Sequence, residues 1–170
     1  MELWDIYDIN RNKTGRTMAR GEAFKEGDYH MVVQVCIFNK RGEMLIQQRQ
    51  SFKDGWPGRW DLTAGGCANK GDDSRSAMHR ELLEEMGIDI DFTNIRPVIT
   101  TNPAHTFHDM YILEREIDLA DLKFQYEEVQ DAKWATKEEI LQMIADERFV
   151  PHRTAWIEYL FDQNESRKGK

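Results

Sequence analysis

"GGCANKGDDSRSAMHRELLEEMGI", residues 65–88, is the stretch on which the reading of this chain turns. A glycine-rich turn leads into a segment with helical periodicity from Ser74 to Met86, with Asp72 or Asp73 positioned to cap its start and Gly87 at the position that ends it. At roughly 100° per residue, Glu81, Glu84 and Glu85 fall within an arc of about 100°, while Met78, Leu82 and Met86 stack on a neighbouring arc. One face is acidic and the next is apolar. Like charges at this spacing disfavour a helix, and Glu84 and Glu85 lie in its last turn, where the dipole is unfavourable to carboxylates. Arg80 can pair with Glu84 four residues on, as on any solvated helix face, but local stability does not explain three clustered acids.

Outward from this stretch the chain reads as one domain with 40% hydrophobic and 32% charged residues. "LWDIYDIN" is a strand closed by the turn-prone "NRNKTG", and its expected partner runs from Thr17 toward Phe24, giving an N-terminal hairpin extension over about residues 1–28. "YHMVVQVCIFN" and "MLIQQRQ", joined by "NKRGE", predict a second hairpin whose first strand is buried on both faces and central in a sheet. A brief strand "WDLTAGG" precedes the acidic helix. Strands are expected around Ile95 to Thr100, Thr106 to Glu116 and "DAKWA", and helices over "TKEEILQMIADERF" and "HRTAWIEYLFDQN". The polar end, about residues 164–170, reads as a mobile tail. The irregular alternation of strands and helices places the chain in the α/β (α+β) class, with a mixed sheet between helices.

A formal net charge of -8 argues against general binding of nucleic acid or an anionic membrane. Cys36 lies in an apolar run and Cys67 in the glycine-rich turn, so there is no disulfide framework. The N-terminus lacks the apolar core of a signal peptide, and no apolar stretch approaches the roughly 20 residues that span a bilayer. The expected compartment is the cytoplasm. His30, His105, His108 and His152 show no ligand spacing with each other or with a cysteine, which disfavours a zinc site.

Gly66, Asp72, Arg80, Glu81, Leu82, Glu84, Glu85, Gly87 and Ile88 fall at the spacing of the Nudix box, and over about Tyr29 to Ile144 the chain resembles the Nudix hydrolase superfamily. The single departure is Asp72, where the family has glutamate. The resemblance implies a Nudix-type α/β/α sandwich and a metal-dependent hydrolase that cleaves a diphosphate linkage in a nucleoside diphosphate-linked or other organic diphosphate. Hydrolysis of a P–O–P bridge needs cations to neutralise its oxygens and to lower the pKa of the attacking water. Mg2+ or Mn2+ suits carboxylate and phosphate oxygens. By resemblance, Glu81, Glu84, Glu85 and the carbonyl of Gly65 are the metal ligands, with Arg80 and Asp72 orienting the helix and its acids. The repulsion among the acids then has a use, since a bound cation relieves it.

Outside the box, Glu128 in "YEEVQDAKW" occupies a place where some Nudix hydrolases carry a further ligand or the base that deprotonates water, with Glu127 and the box glutamates as competitors. Arg49 and Lys53 read as phosphate-facing residues of an otherwise acidic pocket. The segment from Tyr29 to Thr63, with "QQR", Lys53 and "PGRW", is similar to the branch that includes isopentenyl-diphosphate isomerase. That alternative lacks its thiol: Gly65 stands where the isomerase cysteine falls, and Cys67 comes two residues late. A nucleotide-binding domain without catalysis is the remaining alternative. The partner is a small organic diphosphate, and a homodimer is left open.

Overall fold

The structure, a computed structural model, describes residues 2–168. At the N-terminus β1 (Leu3–Tyr7) and β2 (Lys13–Ala19) form an antiparallel pair of their own, with Leu3 opposite Ala19. The partner strand lies earlier than the expected Thr17–Phe24 because the turn is tight: the Asp8 carboxylate accepts from the amides of Asn10 and Asn12, both at 2.9 Å, and Arg11 takes a positive φ of 63°.

The expected second hairpin is only a corner. β3 (His30–Phe38) and β4 (Met44–Arg49) share the single pair Phe38 and Met44 and then diverge. β6 (Ala64–Cys67) takes that edge of β3, from Val32 opposite Cys67 to Val35 opposite Ala64. Meanwhile β4 pairs along its length with β9 (Val129–Ala135) and briefly with β5 (Trp60–Asp61). The strand expected over "WDLTAGG" is thus two, divided at Leu62 and Thr63. Thr63 fills the gap where β3 and β4 part: its hydroxyl accepts from the Ile37 amide at 3.0 Å and donates to the Leu45 carbonyl, satisfying backbone groups that strand divergence would otherwise orphan. The other edge of β3 pairs in parallel with β8 (Thr106–Glu114), from His30 opposite Thr106 to Phe38 opposite Glu114. β7 (Ile99–Thr101) lies antiparallel beyond it, shorter than the expected Ile95–Thr100 strand.

Alternation along β3 divides the core. Val33, Val35 and Ile37 face one layer with Met78, Leu82 and Met86 of α1 (Ser74–Met86), while Cys36 and Phe38 face the other with Ile140 and Met143 of α2 (Lys137–Ala145) and Ile157 and Leu160 of α3 (Thr154–Arg167). The result is the expected mixed sheet between helices. The helix boundaries follow local chemistry. Asp73, not Asp72, caps α1, accepting from the amides of Arg75 and Ser76 at 2.9 Å. Gly87 ends it with φ 71°, in a place where a Cβ would come within 2.8 Å of Lys123. The C-terminal expectation is corrected: residues 164–167 belong to α3, and Asn164, three and four residues beyond Phe161 and Leu160, is only 3% exposed. Polar composition concealed that the buried face of the helix continues as far as Asn164. The last two residues of the expected tail lie outside the described residues.

Asp109 of β8 points to the α1 layer and is fully buried, and its carboxylate accepts from Arg11, from the Ser74 hydroxyl and from the Thr100 hydroxyl, the last at 2.7 Å. Burial raises its pKa, and the Arg11, Ser74 and Thr100 hydrogen bonds overcome that and hold it below the ordinary carboxylate range. The network ties the hairpin turn to the start of α1. A depressed folded pKa stabilises the fold above the ordinary carboxylate range, and this contribution is lost as pH falls through the depressed value. Asp109→Ala is expected to cost on the order of 3 kcal/mol or more in urea unfolding at pH 7, since it leaves Arg11 beside a buried polar cluster with no acid; an unchanged midpoint would remove the network from any role in stability.

Candidate active site

The carboxyl-terminal half of α1, the β6 turn and the loop before β9 converge on a cavity of about 310 Å³. Its lining contains Gly65, Arg80, Glu81, Glu84, Glu85, Arg49, Lys53 and Glu128, so residues far apart in the chain meet in one place. Asp72 lies behind this wall, on Arg80.

Arg80 organises the acids. It donates to Asp72 Oδ2 from Nε at 3.2 Å and from Nη2 at 3.0 Å, to Glu81 Oε1 at 2.9 Å, to Glu84 Oε2 at 3.2 Å and to the Cys67 carbonyl at 3.0 Å. Burial opposes its charge, but Glu81 and Asp72 outweigh that and keep the guanidinium protonated. The three box glutamates sit in graded environments. Glu84 is 52% exposed on its side chain, Glu81 is largely buried, and Glu85 is 6% exposed. Glu85 accepts one weak hydrogen bond, from the Gly65 amide at 3.3 Å, and burial followed by the nearby Glu81 charge pushes its pKa well above the ordinary value. Burial also raises Glu81, against the pull of Arg80.

The glycines explain how the turn approaches the acids. A Cβ on Gly66 would stand 2.5 Å from the Glu81 carboxyl carbon, and one on Gly65 would stand 2.7 Å from the Val33 carbonyl oxygen. The donor set fits a hard divalent cation: all of its candidates are oxygens, and the Glu85 carboxyl is buried with one weak amide hydrogen bond and no cationic side chain bonded to it. In the arrangement observed Arg80 holds Glu81 and Glu84, and among the described residues no three His, Cys, Asp or Glu side chains close into a ligand cluster.

Lys53 pairs with Glu128 across the cavity, and the Arg49 guanidinium donates to the Gly55 carbonyl at 2.8 Å. Glu127 is exposed, whereas Glu128 is half-buried on the cavity wall. The histidines lie elsewhere: His30 stacks on Trp4 at 4.6 Å, His105 stacks on Phe24 at 5.0 Å, and His152 bonds Asp61. Sequence reading missed Glu2 and Arg20, which also line the cavity and pair with each other at 2.9 Å. They belong to the N-terminal hairpin, and no spacing relates them to the box. Asn69 and Gln125 complete the missed lining.

Comparisons with known proteins identify the family and the fold. The family described as NUDIX domain matches residues 28–160. A protein of Listeria monocytogenes described as an uncharacterized Nudix hydrolase is 43% identical over 152 residues, covering 89% of this chain and 90% of its own. An isopentenyl-diphosphate Delta-isomerase of Pectobacterium atrosepticum is 30% identical over 165 residues, covering 92% and 87%. A crystal structure from Deinococcus radiodurans superposes with a TM-score of 0.74 at 22% identity over 94% of this chain and 97% of that one, a likeness of fold. None of these findings supports a homodimer. Among the described residues no helix is long and apolar enough to cross a membrane.

Two variants separate the roles of the paired glycines. Gly65→Ala drives a Cβ into backbone and is expected to lower the thermal midpoint, whereas Gly66→Ala meets a side chain that can swing away and is expected to leave the midpoint nearly unchanged while displacing Glu81; equal midpoints for both would contradict the distinction. Glu85 carries the opposite linkage from Asp109. Its raised folded pKa means that stability falls as pH rises from the ordinary carboxylate value through the folded one. Glu85→Gln is therefore expected to stabilise the cation-free protein at pH 7 by on the order of 1 kcal/mol, with the gain disappearing at acid pH; destabilisation at pH 7 would show that the buried charge is compensated.

Proposed function

The chain belongs to the Nudix family and is a Nudix hydrolase, and from that premise we propose that it cleaves the P–O–P bridge of an organic diphosphate with a divalent cation held on the acidic face of α1. The observation that carries this reading is the meeting, on one cavity, of Glu81, Glu84 and Glu85 with Gly65 and the cationic Arg49 and Lys53. Glu81, Glu84, Glu85 and the Gly65 carbonyl hold Mg2+ or Mn2+, which when bound neutralises phosphate oxygens and lowers the pKa of water. Arg80 and Asp72 orient the helix and its acids. Arg49 and Lys53 bind the terminal phosphates, for which the planar Arg49 fork is suited to two hydrogen bonds at once. Glu128 takes the proton from the attacking water: of the two non-box acids on the cavity wall, Glu2 is already held by Arg20 and by the Trp4 indole. The water oxygen joins one phosphorus as the bridging oxygen leaves on the other phosphate. The work is that of a small-molecule enzyme of the cytoplasm.

Isomerase chemistry is disfavoured. The Cys67 thiol is pushed up to about 11, by burial first, and packs beside Trp4, Ile6 and Met18 of the hairpin. A thiol in that state is a poor proton-transfer group at neutral pH.

The test is a hydrolysis screen of nucleoside di- and triphosphates, nucleotide sugars, dinucleotides and prenyl diphosphates, run with Mg2+, with Mn2+ and with chelator, in water labelled with heavy oxygen. Label is expected in a phosphate-bearing product only with cation present. Glu84→Gln and Glu85→Gln are expected to lower kcat by orders of magnitude, Asp72→Ala by about 10- to 100-fold, and Asp72→Glu little. Conversion of isopentenyl diphosphate to its dimethylallyl isomer, abolished by Cys67→Ala, would overturn the reading. Binding without turnover across the whole panel would replace it with the nucleotide-binding alternative.

A further inference from the structure

A second cavity, of about 1010 Å³, lies away from the acidic helix. β3 and β8 run parallel and end at Phe38 and Glu114; this cavity opens just beyond, between the segment Asn94–Val98 and the carboxyl end of α3. In sheets with parallel strands the crevice outside the carboxyl ends of the strands is a recurrent ligand position. Its volume is at the upper end of the range of small-molecule sites.

The charge here is reversed relative to the whole chain. Lys40, Arg96, Arg115, Arg167 and Lys168 line the cavity against the single carboxylate Glu114, although the formal net charge is -8. Nearby acids account for part of this: Lys168 pairs with Glu165 at 3.1 Å, and Glu116 accepts from the Lys40 backbone amide at 2.7 Å. The negative end of the α3 dipole accounts for more of it, offset by Arg167 and Lys168. Arg96 and Arg115 stand outside both explanations, and the Lys40 ammonium, although Glu116 lies on its backbone amide, like them enters no salt bridge among the described residues; Arg115 donates only to the neighbouring Glu114 carbonyl, at 2.7 Å. A second, independent feature points the same way. Asn164, 3% exposed and part of the same lining, has a side-chain Nδ2 with no hydrogen-bond partner. A buried donor without an acceptor costs on the order of 1 to 3 kcal/mol, a cost that an anionic oxygen relieves once the Asn164 side chain turns toward the cavity. Ile95, Pro97 and Val98 add apolar surface beside the cations.

We propose that this cavity is a second binding site, separate from the acidic helix, for an organic phosphate of nucleotide size: phosphate oxygens on Arg96, Arg115, Lys40 and the Asn164 amide, and the apolar moiety against Ile95, Pro97 and Val98. A guanidinium fork can donate two hydrogen bonds to two oxygens of one phosphate, and the neighbouring apolar wall separates a nucleotide from a bare anion. Nothing in the hydrolytic site depends on these residues.

The experiment uses the full chain with chelator present, ADP as probe and adenosine as its phosphate-free control. ADP is expected to shift the amide signals of Arg96, Val98 and Arg115 and the side-chain NH2 signal of Asn164 saturably, and adenosine is expected not to do so. Arg96→Ala combined with Arg115→Ala exchanges exposed groups and is expected to weaken that binding by about tenfold or more while leaving hydrolysis at the acidic helix unchanged. Signals that stay fixed up to millimolar ADP, or that move equally in the double variant, overturn the proposal. Hydrolysis measured on the same samples reports the first site separately, so failure of one reading is not failure of the other.

Discussion

One guanidinium holds the acidic face of α1 in working order. Arg80 reaches Asp72, Glu81, Glu84 and the Cys67 carbonyl at once, which a planar group with five donors can do and a lysine ammonium cannot do in the same geometry. It fixes the helix to the turn that precedes it. It also relieves part of the repulsion among the glutamates, leaving Glu85 as the acid buried without a cationic partner, where ionisation is disfavoured. A site that destabilises its own charge in this way is poised to take up positive charge.

The N-terminal hairpin secures the other side of that turn. The Lys70 amide donates to the Leu3 carbonyl at 2.7 Å, the Gly71 amide to Asp5 at 2.9 Å, and Lys13 reaches the Asp72 carbonyl at 2.7 Å. The hairpin precedes the segment that the NUDIX family matches, yet it clamps the loop bearing Asp72 and contributes Glu2 and Arg20 to the cavity wall. Arg11, at the hairpin turn, runs to the buried Asp109 and so connects the extension with the start of α1. The extension is therefore part of the site's architecture.

Splaying of β3 from β4 has an equally direct effect on the site. Had the two strands paired throughout, β6 would have no edge to join, and Gly65 and Gly66 would not lie against the acids of α1. Thr63 is the local device that permits the divergence, by satisfying the backbone groups of both strands. β4, released from β3, pairs with β9 and carries Arg49 and Lys53 toward Glu128.

The sequence by itself determined whatever depends on residues close together in the chain. The span of α1, its acidic and apolar faces and its end at Gly87 follow from helical periodicity and from backbone freedom at glycine, and the resemblance to the box implied that Asp72 works with Arg80. It was silent or misleading wherever partners are distant. Pairing of β4 with β9 rather than β3 reflects competition among strand edges, the choice of Asp73 over Asp72 as cap reflects the claim of Arg80 on Asp72, and the burial of Asn164 reflects what α3 packs against. The meeting of Lys53 with Glu128 and the arrival of Arg20 beside the box were likewise decided only in three dimensions, because contact between remote segments is set by the balance of burial and edge satisfaction over the whole sheet, which no local pattern encodes.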